Sequence, residues 1–139
     1  MQDNLQNTKN IISLITRLQS LCEGFDETNK SAVITSKVKI LIELSKAESV
    51  APNILKHRVG LAKSNITLLC GKMIEEGLIL KAKDSFDTRE IFYSITEKGN
   101  KYLEDFLNKT KKNFESQLAY KNNIKQVDLA INNLLDLVE

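Results

Sequence analysis

Residues 63–72 carry a group of side chains whose chemistry suits contact with a nucleic acid. The group consists of Lys63, Ser64, Asn65, Thr67, Leu68 and Lys72. An asparagine amide can form paired hydrogen bonds with adenine, and a leucine side chain or a threonine methyl can contact the methyl group of thymine. The two lysines are better suited to phosphates, because an ammonium group is a point charge without directional readout. The alternative is that these residues form only the polar face of a solvated helix.

A second candidate is Arg89, which follows Asp87 in the polar segment 84–89. This segment separates two apolar runs, where a hairpin turn is expected. An arginine at a hairpin tip can enter the minor groove of A·T-rich DNA, where the potential is most negative. Asp87 would support this role by holding Arg89 in a salt bridge. The alternative is an exposed ion pair that contributes less than about 1 kcal/mol and serves only the hairpin.

The remaining chemically versatile residues do not form a recognisable reactive set. His57 is the only histidine, and the two cysteines, Cys22 and Cys70, have no CxxC spacing. We expect both to be free core thiols in a reducing cytoplasm. No Ser/His/Asp set, phosphate-cradling glycine loop or pair of catalytic carboxylates is apparent in the sequence. We therefore predict no catalytic residue, no metal site and no cofactor, and we do not expect an enzyme.

A helix–turn–helix pattern would position residues 63–72. Pro52 fits the first position of a short helix, because a missing N–H costs nothing there. Gly60 supplies a sharp turn, a second helix runs from about Lys63 to Glu76, and Gly77 fits a left-handed helix stop. The residues expected to face inward are Ile54, Leu55 and Val59 in the first helix and Ile66, Leu69, Cys70 and Met73 in the second.

Two short strands follow this pair of helices. Residues 78–83 and 90–95 are rich in β-branched and aromatic types, and segment 84–89 connects them. Thr96 then caps a long helix that follows the second strand. A helix, a turn, a second helix and a hairpin in this order are typical of a winged helix-turn-helix. Such a module offers one helix to the DNA major groove and its hairpin, the wing, to the minor groove.

Apolar residues at helical spacing flank this module on both sides. The first helix is expected to end in a polar loop formed by Gly24 and residues 26–29, and the next helix is expected to begin at about Ser31. We predict a mainly α fold with a small β-wing in a single domain: a winged helix-turn-helix at 31–99, with dimerisation helices at 1–30 and 100–139. The apolar stripes of the terminal helices have more surface than the small module could cover, which favours a symmetric homodimer.

The distribution of charge agrees with this placement. The net charge is only +2, but residues 46–99 hold nine basic and seven acidic side chains, whereas the segments before and after are balanced. The positive excess therefore lies in the candidate DNA-binding segment. No run of 18 apolar residues is present, so we expect no membrane span.

The segment from Lys83 to Gly99 has the most specific pattern in the chain. It combines Asp-x-Arg, at Asp87 and Arg89, with an apolar strand and the sequence Ile95-Thr96-Glu97-Lys98-Gly99. This pattern resembles the wing of the MarR family of bacterial transcriptional regulators, in which Asp-x-Arg leads into Leu-Thr-x-x-Gly. The resemblance extends over nearly the whole chain.

The helix-turn-helix residues that match the family's core and turn positions are Leu55, Val59, Gly60, Leu61, Ser64, Ile66, Leu69, Met73, Gly77 and Leu78. The chain departs from the pattern at Ala51 and Ala62, where the family usually has a hydroxyl cap. It also departs at Leu68 and Gly71, where polar or basic residues are common.

The resemblance implies a cytoplasmic, homodimeric repressor that binds double-stranded DNA at a near-palindromic operator. Each subunit would place the helix that begins at about Lys63 in a major groove and its wing in the flanking minor groove. The family also implies control by a small apolar or aromatic effector, which no residue here identifies. Leu68, Gly71 and the low basic content favour an alternative, a winged-helix module that binds another protein and has weak or no DNA binding. A DNA binder without ligand control is a third possibility.

Overall fold

The computed structural model describes residues 2–28, 35–84, 86, 89–117 and 124–138, with the side chains of 2–4, 19–28, 112–117 and 124 left out of the description. Its elements are α1 (Gln2–Thr28), α2 (Ser36–Ser45), α3 (Pro52–Val59), α4 (Lys63–Glu75), β1 (Ile79–Lys83), β2 (Ile91–Ile95), α5 (Glu97–Gln117) and α6 (Ile124–Val138). The prediction of a mainly helical fold with a small β-wing is confirmed. None of the helices among these residues is long and apolar enough to cross a membrane.

The chain divides into two compact units, residues 1–105 and 106–139. The first unit contains α1 to α4, the hairpin and the start of α5. The second contains the rest of α5 and all of α6. Within α6 an apolar stripe is exposed along one face of the helix, formed by Ala130, Ile131, Leu134, Leu137 and Val138.

The core of the first unit lies between α2, α3, α4 and the hairpin. Its fully buried side chains include Leu41 of α2, Leu55 of α3, Ile66 of α4 and Ile79 of β1. The prediction that Ile54 faces inward is wrong, since its side chain is 48% exposed. Adjacent helical residues point about 100° apart, so this short helix buries Leu55 and turns Ile54 toward solvent.

Backbone pairing attaches the hairpin to the helix-turn-helix. β1 and β2 are antiparallel, with Ile79 opposite Ile95 and Lys83 opposite Ile91. Before α3, the N–H of Val50 donates to the carbonyl of Tyr93 (2.8 Å), and the N–H of Tyr93 donates to that of Val50 (2.9 Å). The base of the wing is therefore fixed to the segment that leads into α3.

The junction between β2 and α5 depends on a threonine and a glycine. As predicted, Thr96 caps α5: its Oγ1 accepts the N–H of Gly99 at 3.0 Å. The same hydroxyl lies 2.7 Å from the carbonyl oxygen of Gly77 and 2.9 Å from that of Leu78, to which it can donate. A Cβ on Gly99 would lie only 2.1 Å from the Leu78 oxygen. The Thr-x-x-Gly pattern thus lets the start of α5 approach the turn between α4 and β1.

Two helix boundaries differ from those expected. The prediction that the first helix ends at Gly24 is wrong, because α1 continues to Thr28. A single glycine costs a helix only about 1 kcal/mol and does not have to end it. The second helix begins at Ser36 rather than near Ser31, because Thr35 is its N-cap and accepts the N–H of Val38 at 3.3 Å.

Cys70 is a core residue, as predicted. Its side chain is fully buried in α4, and desolvation by burial raises the pKa of its thiol to about 11. The thiol is therefore protonated at neutral pH and is a poor nucleophile. The side chain of Cys22 lies outside the described residues, so its assignment to the core stays a prediction.

Candidate nucleic-acid interface

Helix α4 has a clear division between a buried and an exposed face. Ile66, Cys70 and Met73 point into the core. Because adjacent helical residues point about 100° apart, the middle of the opposite face is a line of three residues, Ser64, Leu68 and Gly71. Leu68 is 60% exposed, and a Cβ on Gly71 would meet no atom within 4 Å. The centre of the exposed face is therefore smooth and partly apolar.

The polar candidates lie on two flanks of this central line. Lys63 and Thr67 are one turn apart on one flank, and Asn65 and Lys72 are two turns apart on the other. All four are exposed. The Thr67 hydroxyl donates to the carbonyl of Lys63 at 3.0 Å. A ligand can therefore contact the Thr67 methyl group or donate a hydrogen bond to its oxygen. The structure thus brings Lys63 together with Thr67, and Asn65 with Lys72.

Both helices of the helix-turn-helix begin without a side-chain cap. Ala51 is the N-cap of α3 and Ala62 is the N-cap of α4, and neither side chain can accept a hydrogen bond. Losing such a cap costs a helix about 1 kcal/mol. It also leaves backbone N–H groups of the first turn for another acceptor, and phosphate oxygens are well suited to that position.

A groove of 310 Å³ lies between α4 and the hairpin. It is lined by the start of α3, by Lys63 and Thr67 of α4, and by residues 89–92. Arg89 therefore faces the same groove as Lys63, although the two are distant in sequence. Glu90 adds one carboxylate to the lining. The groove can accept an anionic backbone between two cationic side chains.

The position of Arg89 on the hairpin differs from the one expected. The N–H of Asp84 donates to the carbonyl of Glu90 at 2.9 Å, which closes the hairpin one residue after Arg89. Arg89 thus lies at the base of the loop, beside the groove, rather than at its tip. Asp87, the predicted support of Arg89, lies outside the described residues, and its role stays a prediction.

A second depression extends the surface along α3. It is lined by Asn53, Lys56 and His57 and by the turn residues 60–62. Asn53 also lines the groove beside Arg89, so the two surfaces are continuous. Neither Asn53 nor Lys56 is among the candidate contact residues predicted from the sequence. Their spacing with His57 is i, i+3 and i+4, which places three polar side chains on one helix face and could have indicated them.

Three basic residues make contacts that connect parts of the protein to one another. Arg58 of α3 lies 3.4 Å from Glu43 of α2, and the Lys98 Nζ donates to the carbonyl of Glu76 at 2.9 Å. Lys37 of α2 pairs with the Glu76 carboxylate and lies 4.8 Å from the centre of the Tyr102 ring. These contacts connect the end of α4 to α2 and α5.

Comparison with known protein families decides the class of protein. The family model described as "Transcriptional regulator SarA/Rot" matches residues 29–106, which is more than half of the chain. The chain belongs to the SarA/Rot family of transcriptional regulators. The matched region of this SarA/Rot-family chain contains α2, α3, α4, the hairpin and therefore every residue of the candidate interface.

One relative is also described as a transcriptional regulator. The transcriptional regulator AdcR of Streptococcus pneumoniae is 31% identical over 70 residues, which are 50% of this chain and 47% of AdcR. This SarA/Rot-family chain thus aligns with only about half the length of that relative.

Solved structures share its fold. NadR in complex with 4-hydroxyphenylacetate has a TM-score of 0.71 at 20% identity and covers 91% of this chain and 89% of its own. The multiple antibiotic resistance repressor MarR has a TM-score of 0.65 at 17% identity and covers 94% and 93%. The resemblance to MarR-type winged helices is confirmed.

Proposed function

We propose that this protein is a cytoplasmic, homodimeric repressor that binds double-stranded DNA at a near-palindromic operator. The observation that carries the proposal is the shared groove, in which Arg89 of the wing and Lys63 of α4 face one space. A duplex against α4 would meet both cations at once. Membership in a family of transcriptional regulators supports the same reading.

In this arrangement each part of the surface has a distinct task. Ser64, Asn65 and Leu68 face base edges of the major groove, where Asn65 can pair with adenine and Leu68 can contact a thymine methyl. Lys63, Lys72 and the uncapped start of α4 bind phosphates, which fix the position of the protein but carry no sequence information. Arg89 reaches the neighbouring minor groove, which is narrowest and most negative in A·T-rich DNA.

The apolar face of α6 supports the homodimer. In a single chain these leucine, isoleucine and valine side chains stay in water, and a second copy is the simplest way to cover them. We expect Leu134→Asp to convert the dimer to monomer, because an unpaired carboxylate would be buried in the interface. Sedimentation at micromolar concentration measures the change. Asn132→Asp, which adds the same charge on the polar face of α6, should remain dimeric, and a monomeric wild type would contradict the assembly.

Effector control is the remaining part of the proposal. NadR, which shares the fold, is described in complex with 4-hydroxyphenylacetate, an aromatic acid. We propose that a small apolar or aromatic ligand favours a spacing of the two α4 helices that does not fit DNA. Such a ligand needs a differential affinity of about 1–3 kcal/mol for the two spacings, which would weaken DNA binding by roughly 5- to 150-fold.

The decisive experiment is a gel-shift titration with the DNA upstream of the protein's own gene, at low and at physiological salt. If the interface neutralises several phosphates, the affinity should fall by about 10³- to 10⁵-fold between roughly 50 and 200 mM salt. Competition with an unrelated duplex at the same salt separates specific from non-specific binding. Failure of the wild type to bind at low salt would refute the DNA-binding function.

Leu68 favours a second candidate function. It lies exposed at the centre of α4, and that helix carries only two lysines, so the same face could bind a protein. A contact centred on leucine would depend little on salt, whereas phosphate binding depends on it steeply. The salt titration therefore distinguishes the two functions.

A further inference from the structure

Phe86 is the one aromatic side chain that the described part of the chain leaves entirely in water. Its exposure is 100%, whereas Tyr93 is buried, Phe92 and Phe106 are half-buried and Tyr102 is partly covered. Single exposed hydrophobic residues are common on protein surfaces. A fully exposed phenylalanine in a loop that is otherwise polar is a stronger indication of a binding partner, because none of the described residues covers it.

The backbone holds Phe86 in a defined place on the wing. Its N–H donates to Oδ1 of Asp84 at 2.8 Å, and the N–H of Asp84 pairs with the carbonyl of Glu90. An aspartate that accepts the N–H two residues later forms an Asx-turn, which stabilises a tight loop. Phe86 therefore extends beyond the closing pair of the hairpin, whereas Arg89 lies beside that pair.

The hairpin that carries Phe86 also borders the groove of the candidate interface. Its base is attached to the core through the Val50–Tyr93 pair, and Arg89 of the same loop lines the groove with Lys63. We propose that Phe86 is an apolar wedge that enters the minor groove and inserts at a base step, so that the wing bends the DNA it contacts. This inference rests on the proposed DNA-binding function and adds a second wing residue to it.

The chemistry of the minor groove favours this occupant. Apolar side chains such as phenylalanine can partially unstack a base step and bend the duplex away from the protein. Pyrimidine–purine steps, TpA above all, are the easiest to open. An A·T-rich site that attracts Arg89 can supply such a step beside it. A protein partner is the competing occupant, and it predicts no effect of Phe86 on the stacking or bending of DNA.

The test uses the whole chain and a short duplex taken from the DNA upstream of its gene. In this duplex, 2-aminopurine replaces adenine at one TpA step at a time. Fluorescence of 2-aminopurine rises when the base is unstacked, and dyes at the duplex ends report bending. We expect wild type to raise the fluorescence at one step per half-site and to shorten the end-to-end distance. Phe86→Ala should abolish both signals and weaken binding about 10-fold. Phe86→Leu should retain most of both, because leucine is also an effective wedge.

Leu80→Ala is the matched control, because Leu80 is an exposed apolar residue on β1 of the same hairpin. It should bind and bend DNA as wild type does. Wild-type binding with no fluorescence change at any TpA step would overturn the wedge while leaving the DNA-binding function intact. Unchanged affinity and bending in Phe86→Ala would do the same. Absence of wild-type binding would overturn both proposals.

Discussion

Replacing Gly99 by alanine should destabilise the protein by about 3 kcal/mol or more. The added methyl would lie 2.1 Å from the carbonyl oxygen of Leu78 and 2.8 Å from Cγ1 of Ile95. The first of these is a backbone atom in a tight turn and cannot rotate away. To make room, the start of α5 must move, which breaks the bond from the Gly99 N–H to Thr96. Thermal unfolding should show the loss as a decrease in Tm of about 10 °C.

Gly71→Ala provides the control for this effect. Gly71 is also in a helix, but a Cβ there meets no atom within 4 Å. Alanine in an exposed helical position should stabilise the protein by about 0.5–1 kcal/mol. Both variants must be compared at one protein concentration, because the stability of the proposed dimer would depend on it. A Tm for Gly99→Ala within about 2 °C of wild type would show that the junction is not packed as the structure has it.

The elements that the sequence predicts well are those ended by local chemistry. Gly60 and Gly77 both adopt left-handed backbone, with φ of 74° and 77°, a conformation that glycine adopts without steric cost. Pro52 and Thr96 likewise mark helix starts through their own side chains. The helix-turn-helix and wing could therefore be located to within about two residues. At Gly24 the same kind of signal misleads, because helix α1 continues through it.

The interface was harder to predict because it depends on packing. The groove beside Arg89 exists only because the Val50–Tyr93 pair fixes the wing near the start of α3, and no local pattern contains that contact. Asn53 lines this groove because of the same backbone contact. Phe86 is visible in the sequence as an exception in a polar loop, but its full exposure follows only from the closed hairpin.

The net charge of a segment is also a poor guide to the surface that DNA would meet. Segment 46–99 has two more basic than acidic residues, yet Arg58 and Lys98 serve contacts within the protein. A duplex against this surface would meet Lys56 and Lys63, on adjoining surfaces, together with Arg89 and Lys72, and also the carboxylate of Glu90. A protein of net charge +2 can thus present a locally cationic surface to DNA, because position rather than number determines the potential at contact.

Arg89→Ala should weaken DNA binding more than any other single substitution on this surface. An arginine in a groove contact contributes about 1–3 kcal/mol, and the proposed dimer would lose two of them. The expected loss is therefore about 100-fold in Kd, equivalent to ~2.7 kcal/mol. Thermal stability should change little, because Arg89 is exposed and surface ion pairs contribute at most about 1 kcal/mol. Gel-shift titration and thermal unfolding of the same samples measure the two quantities.

Arg58→Ala is the matched control, since it removes the same side chain and the same charge from the helix-turn-helix. Arg58 lies 3.4 Å from Glu43, on the side where α3 meets α2. Its loss should change DNA affinity only through the overall potential, by about threefold at physiological salt. Equal losses in the two variants would mean that DNA senses only net charge and that the wing makes no specific contact. A loss confined to Arg89→Ala would instead place the groove between wing and α4 at the centre of DNA recognition.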